Sequence, residues 1–284
     1  MKGENHGPPF LKAEKNQRGL KVIHGKETLA EGEVALHKLK MTIAYDGLDF
    51  YGFQRQPGRR TVQGTLEETI QRITGEKIQI VGAGRTDAGV HAKGQVIHFL
   101  TENPMPLHRW QRALNLSLPR DLVVLKVEKV PLSFHARHDA CWRHYRYTID
   151  RRPIPDVFTR RFRTHLHCSL DVARMRKAGK YLEGTHDFTS FSVARSTVED
   201  RVRTLYQVDV EGDSELITIS LIGNGFLHHM VRIIVGTLVE VGSGQREPDE
   251  IPAILAAKDR RKAGKTFPPE GLCMMEVGYE SWVR

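Results

Sequence analysis

Only three cysteines occur in 284 residues, Cys141, Cys168 and Cys273. They are odd in number, widely spaced and never in a C-x-x-C pair. Neither a disulfide framework nor a thiolate metal cluster is expected, and a reducing cytoplasm suits the chain. No apolar run approaches the roughly 18 residues that a membrane span needs. The opening MKGENHGPPF has no apolar stretch of the kind that begins a secretory signal. Nucleotide fingerprints are missing too. The most glycine-rich stretch has Asp87 where G-x-G-x-x-G would need a glycine, and no G-K-S/T follows as a P-loop requires. These absences set aside secreted, membrane and P-loop proteins.

Negative charge is in short supply as well. The chain has 43 Lys+Arg against 34 Asp+Glu, a net charge of +9 and a pI near 9.5. Such an excess suits a polyanionic partner, with nucleic acid the first candidate, although a merely soluble basic protein would carry it equally well. Hydrophobic residues at 39% and charged ones at 27% are an ordinary globular balance, enough for a sizeable core.

Residues 1–36 are polar, broken by Gly and Pro, and carry Lys12, Lys15, Arg18, Lys21 and Lys26. A flexible extension is expected there, with a phosphate-contacting arm as the other reading. Leu39, Met41, Ile43 and Tyr45 alternate with period two, which predicts a first strand. The loop after it mixes Phe53 with Gln54, Arg55, Gln56, Arg59 and Arg60. That mixture suits phosphate contact and base stacking, or simply a basic surface loop. Val62, Leu66, Ile70 and Ile73 then fall at helical spacing between Thr61, a candidate N-cap, and Gly75, a stop signal. Pro106 opens a second helix with Leu107, Trp110 and Leu114 facing inward, and Val123–Val127 reads as a strand.

The stretch VGAGRTDAGVHAKGQVIHFL, residues 81–100, is the most informative in the chain. Val96, Ile97, Phe99 and Leu100 read as a buried strand. Gly82, Gly84 and Gly89 mark an irregular loop before it, with Arg85 and Asp87 at its centre. An aspartate in such a turn ordinarily bonds its own backbone. The other reading places it at a rim where a large ligand approaches, and on spacing alone the turn reading is the stronger of the two.

In the second half, Trp142–Ile149 predicts a strand with Tyr145 and Tyr147 on one face. Val172–Leu182 reads as a helix, and Gly184–Phe191 as a structural turn in which His186 and Asp187 point apart. Residues 193–204, with Arg195, Arg201 and Arg203, predict a basic hairpin or loop. Leu216–Leu221 alternates as a strand. Gly225 and Phe226 are expected to open a helix with His228 and Arg232 four apart on one side. His228 and His229, as neighbours on a helix, would diverge by about 100°, and no third ligand lies at suitable spacing, so no metal is expected. A metal-dependent hydrolase needs clustered ligands that the 14 histidines do not supply. Ile251–Lys258 is a short helix and GLCMMEVGYE a last strand.

Taken together, GRTDAGVHA with GQVIHF, the YGFQRQ segment, F-x-A-R at Phe134–Arg137, R-x-Y-x-Y at Arg143–Tyr147, GTHDFTSF and the GFLHHMVR segment resemble the tRNA pseudouridine synthase A family. The matches run in order over nearly the whole chain from about Leu39. The resemblance implies the pseudouridine synthase fold. That is an α+β architecture of two similar subdomains, residues 37–138 and 139–284, joined in one mostly antiparallel sheet around a central basic cleft. It implies isomerisation of uridine to pseudouridine in the anticodon stem-loop of tRNA, positions 38 to 40, with no cofactor and no metal. Asp87 would be the nucleophile, with Arg232 its ion-pair partner and Tyr145 the aromatic that stacks on the base and could help remove a proton. Arg85 would take the space of a flipped-out base. Phe226, Phe53, Gln54, Arg55, Gln56, Arg59, Arg137, Arg143 and His228 would bind substrate. Partners implied are tRNA and a second copy of the chain. A tRNA-binding module or RNA chaperone without turnover would use the same basic and aromatic residues.

Overall fold

The computed structural model describes residues 22–23, 26–27, 36–193 and 199–283. The expectations for the N-terminal extension and for Arg195 therefore fall largely outside the described residues. Two short strands, β1 (Val22–Ile23) and β2 (Lys26–Glu27), pair antiparallel within the extension. No helix among the described residues is long and apolar enough to cross a membrane.

Local sequence signals explain the first half. β3 (His37–Tyr45) buries Leu39, Met41, Ile43 and Tyr45, every second residue, as the alternation requires. α1 (Val62–Thr74) starts where Thr61 Oγ1 accepts the Gly64 N–H at 3.2 Å and stops at Gly75, whose φ of 78° is left-handed. A two-residue strand β4 (Val81–Gly82) follows, then β5 (His91–Thr101), α2 (Leu107–Ser117) and β6 (Leu122–Val130). The strand through Val96–Phe99 begins earlier than its apolar run suggests, at His91. Leu107 and Leu100 are exposed rather than inward; Phe99 takes the core position beside Leu100, and α2 buries only Trp110 and Leu114.

The second half comprises β7 (Trp142–Asp150), β8 (Thr164–His165), α3 (Val172–Lys180), β9 (Gly184–Asp187), β10 (Val202–Gly212), β11 (Leu216–Gly223), α4 (Met230–Gly242), α5 (Ile251–Ala257) and β12 (Leu272–Gly278). Two expectations are corrected here. Gly184–Asp187 is an edge strand paired with β10 rather than a turn. Helix α4 begins at Met230, not Gly225, because His229 adopts a left-handed φ of 62° that breaks the helical path before it.

The strands form one mixed, mostly antiparallel sheet in the order β6-β3-β5-β12-β7-β11-β10-β9, with β4 on β5 and β8 on β7. β12, late in the chain, lies in the middle. It runs parallel to β5 through Cys273–His91 and Met274–Ala92, and antiparallel to β7 through Leu272–Tyr147 and its neighbours. One continuous apolar cluster reaches from Met41, Ile97 and Trp110 to Tyr147, Ile219 and Ile234.

A buried histidine cluster lies where the chain crosses between the halves. His98 Nδ1 accepts the Ala136 N–H at 3.0 Å, and its ring meets His135 and Phe134 edge-on. Burial, reinforced by His135 and Lys38, pushes the His98 pKa down to about 4. The unfolded ring binds its proton near pH 6.5, so between these values the unfolded chain holds more protons. Stability is full above about pH 6.5 and falls as pH drops toward 4. His98→Asn keeps an acceptor without a titrating ring. It should flatten this acid limb by up to one proton, measured as melting temperature against pH.

Candidate active site

The Asp87 loop is fastened from three sides. The Ala83 N–H donates to Val96 O at 2.8 Å, and Gln95 Nε2 donates to Gly84 O at 2.9 Å. Thr86 Oγ1 and Tyr45 Oη are 2.8 Å apart, and the Phe53 N–H donates to Thr86 O at 3.0 Å. Gly52 carries a φ of +80° and packs so tightly here that a Cβ would stand 2.8 Å from Thr86 O. Glycine is the residue this approach permits.

So held, Asp87 presents its carboxylate to α4 and the turn before it. Arg232 Nη1 lies 3.1 Å from Asp87 Oδ2, while Arg232 Nε donates to Phe267 O at 2.7 Å. His228 Nε2 and His229 Nε2 each lie 3.5 Å from a carboxylate oxygen. The side chains of Asp87 and Arg232 are 22% and 13% exposed, which puts the ion pair at a mouth rather than in the core. Burial lowers the His229 pKa, and His228 and Arg232 add to the effect against the pull of Asp87. Arg232 is the group hydrogen-bonded to the acid.

Tyr145 stands on β7 with 8% exposure, its ring edge-on to Phe226 at 5.0 Å between centroids. Its hydroxyl has no hydrogen-bond partner among the described residues. Burial, with Tyr45 and Asp87 nearby, pushes its pKa up, so at neutral pH it is a phenol. A phenol can remove a proton only by passing its own to another group.

The two histidines do converge, contrary to the expectation drawn from a helix. Their rings are 4.1 Å apart, and with Asp87 their ligand atoms fall within 4.8 Å of one another. Geometry alone would admit a metal ion. The guanidinium on Asp87 Oδ2 opposes it, because a divalent ion there would meet a fixed positive charge. A carboxylate hydrogen-bonded by one guanidinium and flanked by two imidazoles is the better description.

The remaining expected substrate groups divide. Arg85 and Gln54 are exposed with no side-chain partner among the described residues, and Arg137 is exposed at the crossing. Arg59 stacks over Tyr51 at 4.3 Å. Gln54, Arg55, Gln56 and Arg59 line one surface hollow with Gln63 and Gln79. Other residues are revised. Phe53 is 3% exposed and packs beneath Gly82, so its ring is core. Arg55 is paired with Glu67 at 2.9 Å and Glu68 at 3.6 Å, and Gln56 donates to Tyr51 O. Arg143 is buried on main-chain carbonyls. His229 is the group that sequence reasoning passed over. Its left-handed turn, which no motif announces, is what brings it to the acid.

The mixed sheet thus brings an acid and a guanidinium from distant segments into contact near the exposed Arg85. The comparisons with known proteins go further. The family model described as "tRNA pseudouridine synthase" matches residues 41–139 and 178–280. A Brevibacillus brevis protein named tRNA pseudouridine synthase A is 54% identical over 244 residues, covering 86% of this chain and 100% of that one. The namesakes from Moorella thermoacetica and Bacillus subtilis are 50% and 46% identical, covering 85% and 86% of this chain and 99% and 100% of their own. The chain belongs to the tRNA pseudouridine synthase family, and it is an isomerase.

Proposed function

We propose that this enzyme isomerises uridine to pseudouridine in the anticodon stem-loop of tRNA, at positions 38 to 40, with Asp87 as its nucleophile. The observation that carries the reading is the Asp87–Arg232 ion pair at 3.1 Å, drawn from residues 145 apart and flanked by an aromatic pair. A binding module has no use for a half-buried carboxylate facing an anionic ligand. The cleft lies between residues 37–138, which supply Asp87 and Arg85, and residues 139–284, which supply Tyr145, Phe226 and Arg232.

The reaction breaks the bond from N1 of the base to C1′, turns the uracil and joins C5 to C1′. The hydrogen on C5 leaves as a proton and the freed N1 takes one up, so nothing is oxidised and the net change is an isomerisation. A carboxylate can attack either C1′ of the ribose or C6 of the base. Arg232 supplies its countercharge, and the Tyr145–Phe226 pair supplies a face on which the uracil stacks. A stem uridine must first leave the helix, at a cost of a few kcal/mol. Arg85, exposed and without a side-chain partner among the described residues, would enter the gap. Gln54, Arg59 and Arg137 face solvent where phosphates would pass.

The test is an unmodified tRNA transcript incubated with the enzyme, its pseudouridines located by mass spectrometry. Product confined to positions 38–40 supports the reading. RNA binding with no pseudouridine would leave a binding module instead. Excess chelator should leave the rate unchanged, and chelator-sensitive turnover would mean that Asp87, His228 and His229 hold a metal after all. The working unit is read as a homodimer in the cytoplasm. Ile154, Val157 and Phe158, exposed together on the β7–β8 connection, offer apolar surface for a second copy, and light scattering reads the mass.

A further inference from the structure

Arg143 is the most unusual charge in the molecule. It is 9% exposed, has no carboxylate partner among the described residues, and burial lowers its pKa. Its guanidinium is instead shared among four main-chain carbonyls. Nη1 donates to Ala140 O at 3.0 Å and Asn224 O at 2.8 Å, and Nη2 donates to Ala83 O at 3.1 Å and Arg137 O at 2.7 Å. A buried cation without a counter-ion is costly to keep, and an apolar side chain would fill the same space without that penalty.

The four carbonyls come from three separate segments, and each segment leads to the site. Ala83 begins the loop that carries Arg85 and Asp87. Arg137 and Ala140 belong to the crossing between the halves. Asn224 follows β11 and begins the turn that delivers Phe226, His228 and His229. Asn224 is itself pinned to Thr204 through its N–H and its side-chain oxygen, both at 3.0 Å. Arg143 also lies two residues before Tyr145 on β7, so the two side chains leave the same face of the strand.

We propose that Arg143 is a positioning residue: its planar fork ties the Asp87 loop, the crossing and the Phe226 turn to the strand that bears Tyr145, and so sets the nucleophile against the stacking pair. It does not touch RNA. The inference rests on the reading of Asp87 as the nucleophile. Lysine cannot replace it, since a single ammonium has three donors, not arranged in a plane, for four acceptors in fixed positions.

The experiment measures kcat and KM for a tRNA transcript, by release of hydrogen from C5 of labelled uridine, in Arg143→Lys and Arg143→Ala. Rates are normalised to the folded fraction from circular dichroism. A misplacement of the order of 1 Å costs roughly 100-fold, so kcat should fall by about that factor while KM and tRNA binding stay near wild type. Added guanidinium ion should restore part of the Arg143→Ala rate, and ethylammonium should not. A rise in KM with kcat unchanged would mean that Arg143 contacts RNA, and an unchanged rate per folded molecule would mean a purely structural role. Either result overturns the proposal. Asp87→Asn is run alongside to separate the two readings. If it turns over, the nucleophile assignment fails and takes this inference with it. If it is inactive while Arg143→Lys is unimpaired, only the clamp fails.

Discussion

Asp87→Ala is expected to abolish turnover while leaving tRNA affinity within about tenfold of wild type, roughly 1.4 kcal/mol. The two effects separate because different parts of the molecule carry them. Affinity for a polyanion comes chiefly from cations along the phosphate path, and Asp87 is not among them. Deleting it removes a negative charge that faces the substrate and releases Arg232, so binding should hold or tighten slightly. Chemistry has no substitute for the missing carboxylate. His228 and His229 are 3.5 Å from it, but neither is positioned to take its place without the loop moving. The loss of kcat should reach about 10⁴-fold or more, the scale seen when a nucleophile is deleted. The decisive measurement is a single-turnover rate beside a binding isotherm at fixed salt. A mutant rate within tenfold of wild type would remove Asp87 from the mechanism.

Arg232→Met should be the next most severe change, lowering kcat by about 10²–10³-fold, the scale for losing one preorganised charge from an active site. The guanidinium does two jobs, pairing with Asp87 through Nη1 and holding Phe267 O through Nε. Methionine fills much of the volume and does neither. The mutant should also acquire a pH dependence. With Arg232 gone, a protonated His229 can still set a cation beside Asp87, and its pKa, which burial continues to lower, loses the further depression that Arg232 adds. The protonated fraction of His229 rises as pH falls, so the residual rate should climb as the pH is lowered. Arg232→Lys should recover only part of the loss, because a point charge cannot serve both acceptors. A wild-type rate in Arg232→Met would mean that the ion pair is incidental.

What could be read from the sequence follows from how far each signal reaches. The β3 alternation and the Thr61 and Gly75 caps of α1 are local, and both stand in the structure as the residues dictate. Partners distant in the chain were not legible from composition or spacing. Arg55 looks like a free cation until α1 places Glu67 beside it. Phe53 looks like a stacking ring until Gly82 closes over it, and Arg143 looks like a phosphate ligand until four carbonyls surround it. The turn at His229 defeated the helical reading of Gly225–Arg232, since a left-handed histidine has no signature in the letters. Resemblance alone brought Asp87 and Arg232 together as an expectation, because no periodicity links residues on different elements.

The position of β12 has a consequence for how the molecule is made. The strand at residues 272–278 is the one that joins β5 to β7, yet it follows both Asp87 and Arg232 in the sequence. A nascent polypeptide short of that point already holds the aspartate and the arginine, but lacks the seam that sets them side by side. The Asp87–Arg232 contact therefore depends on a strand that follows both residues in the chain, so the two cannot be held together in this sheet until that strand is present.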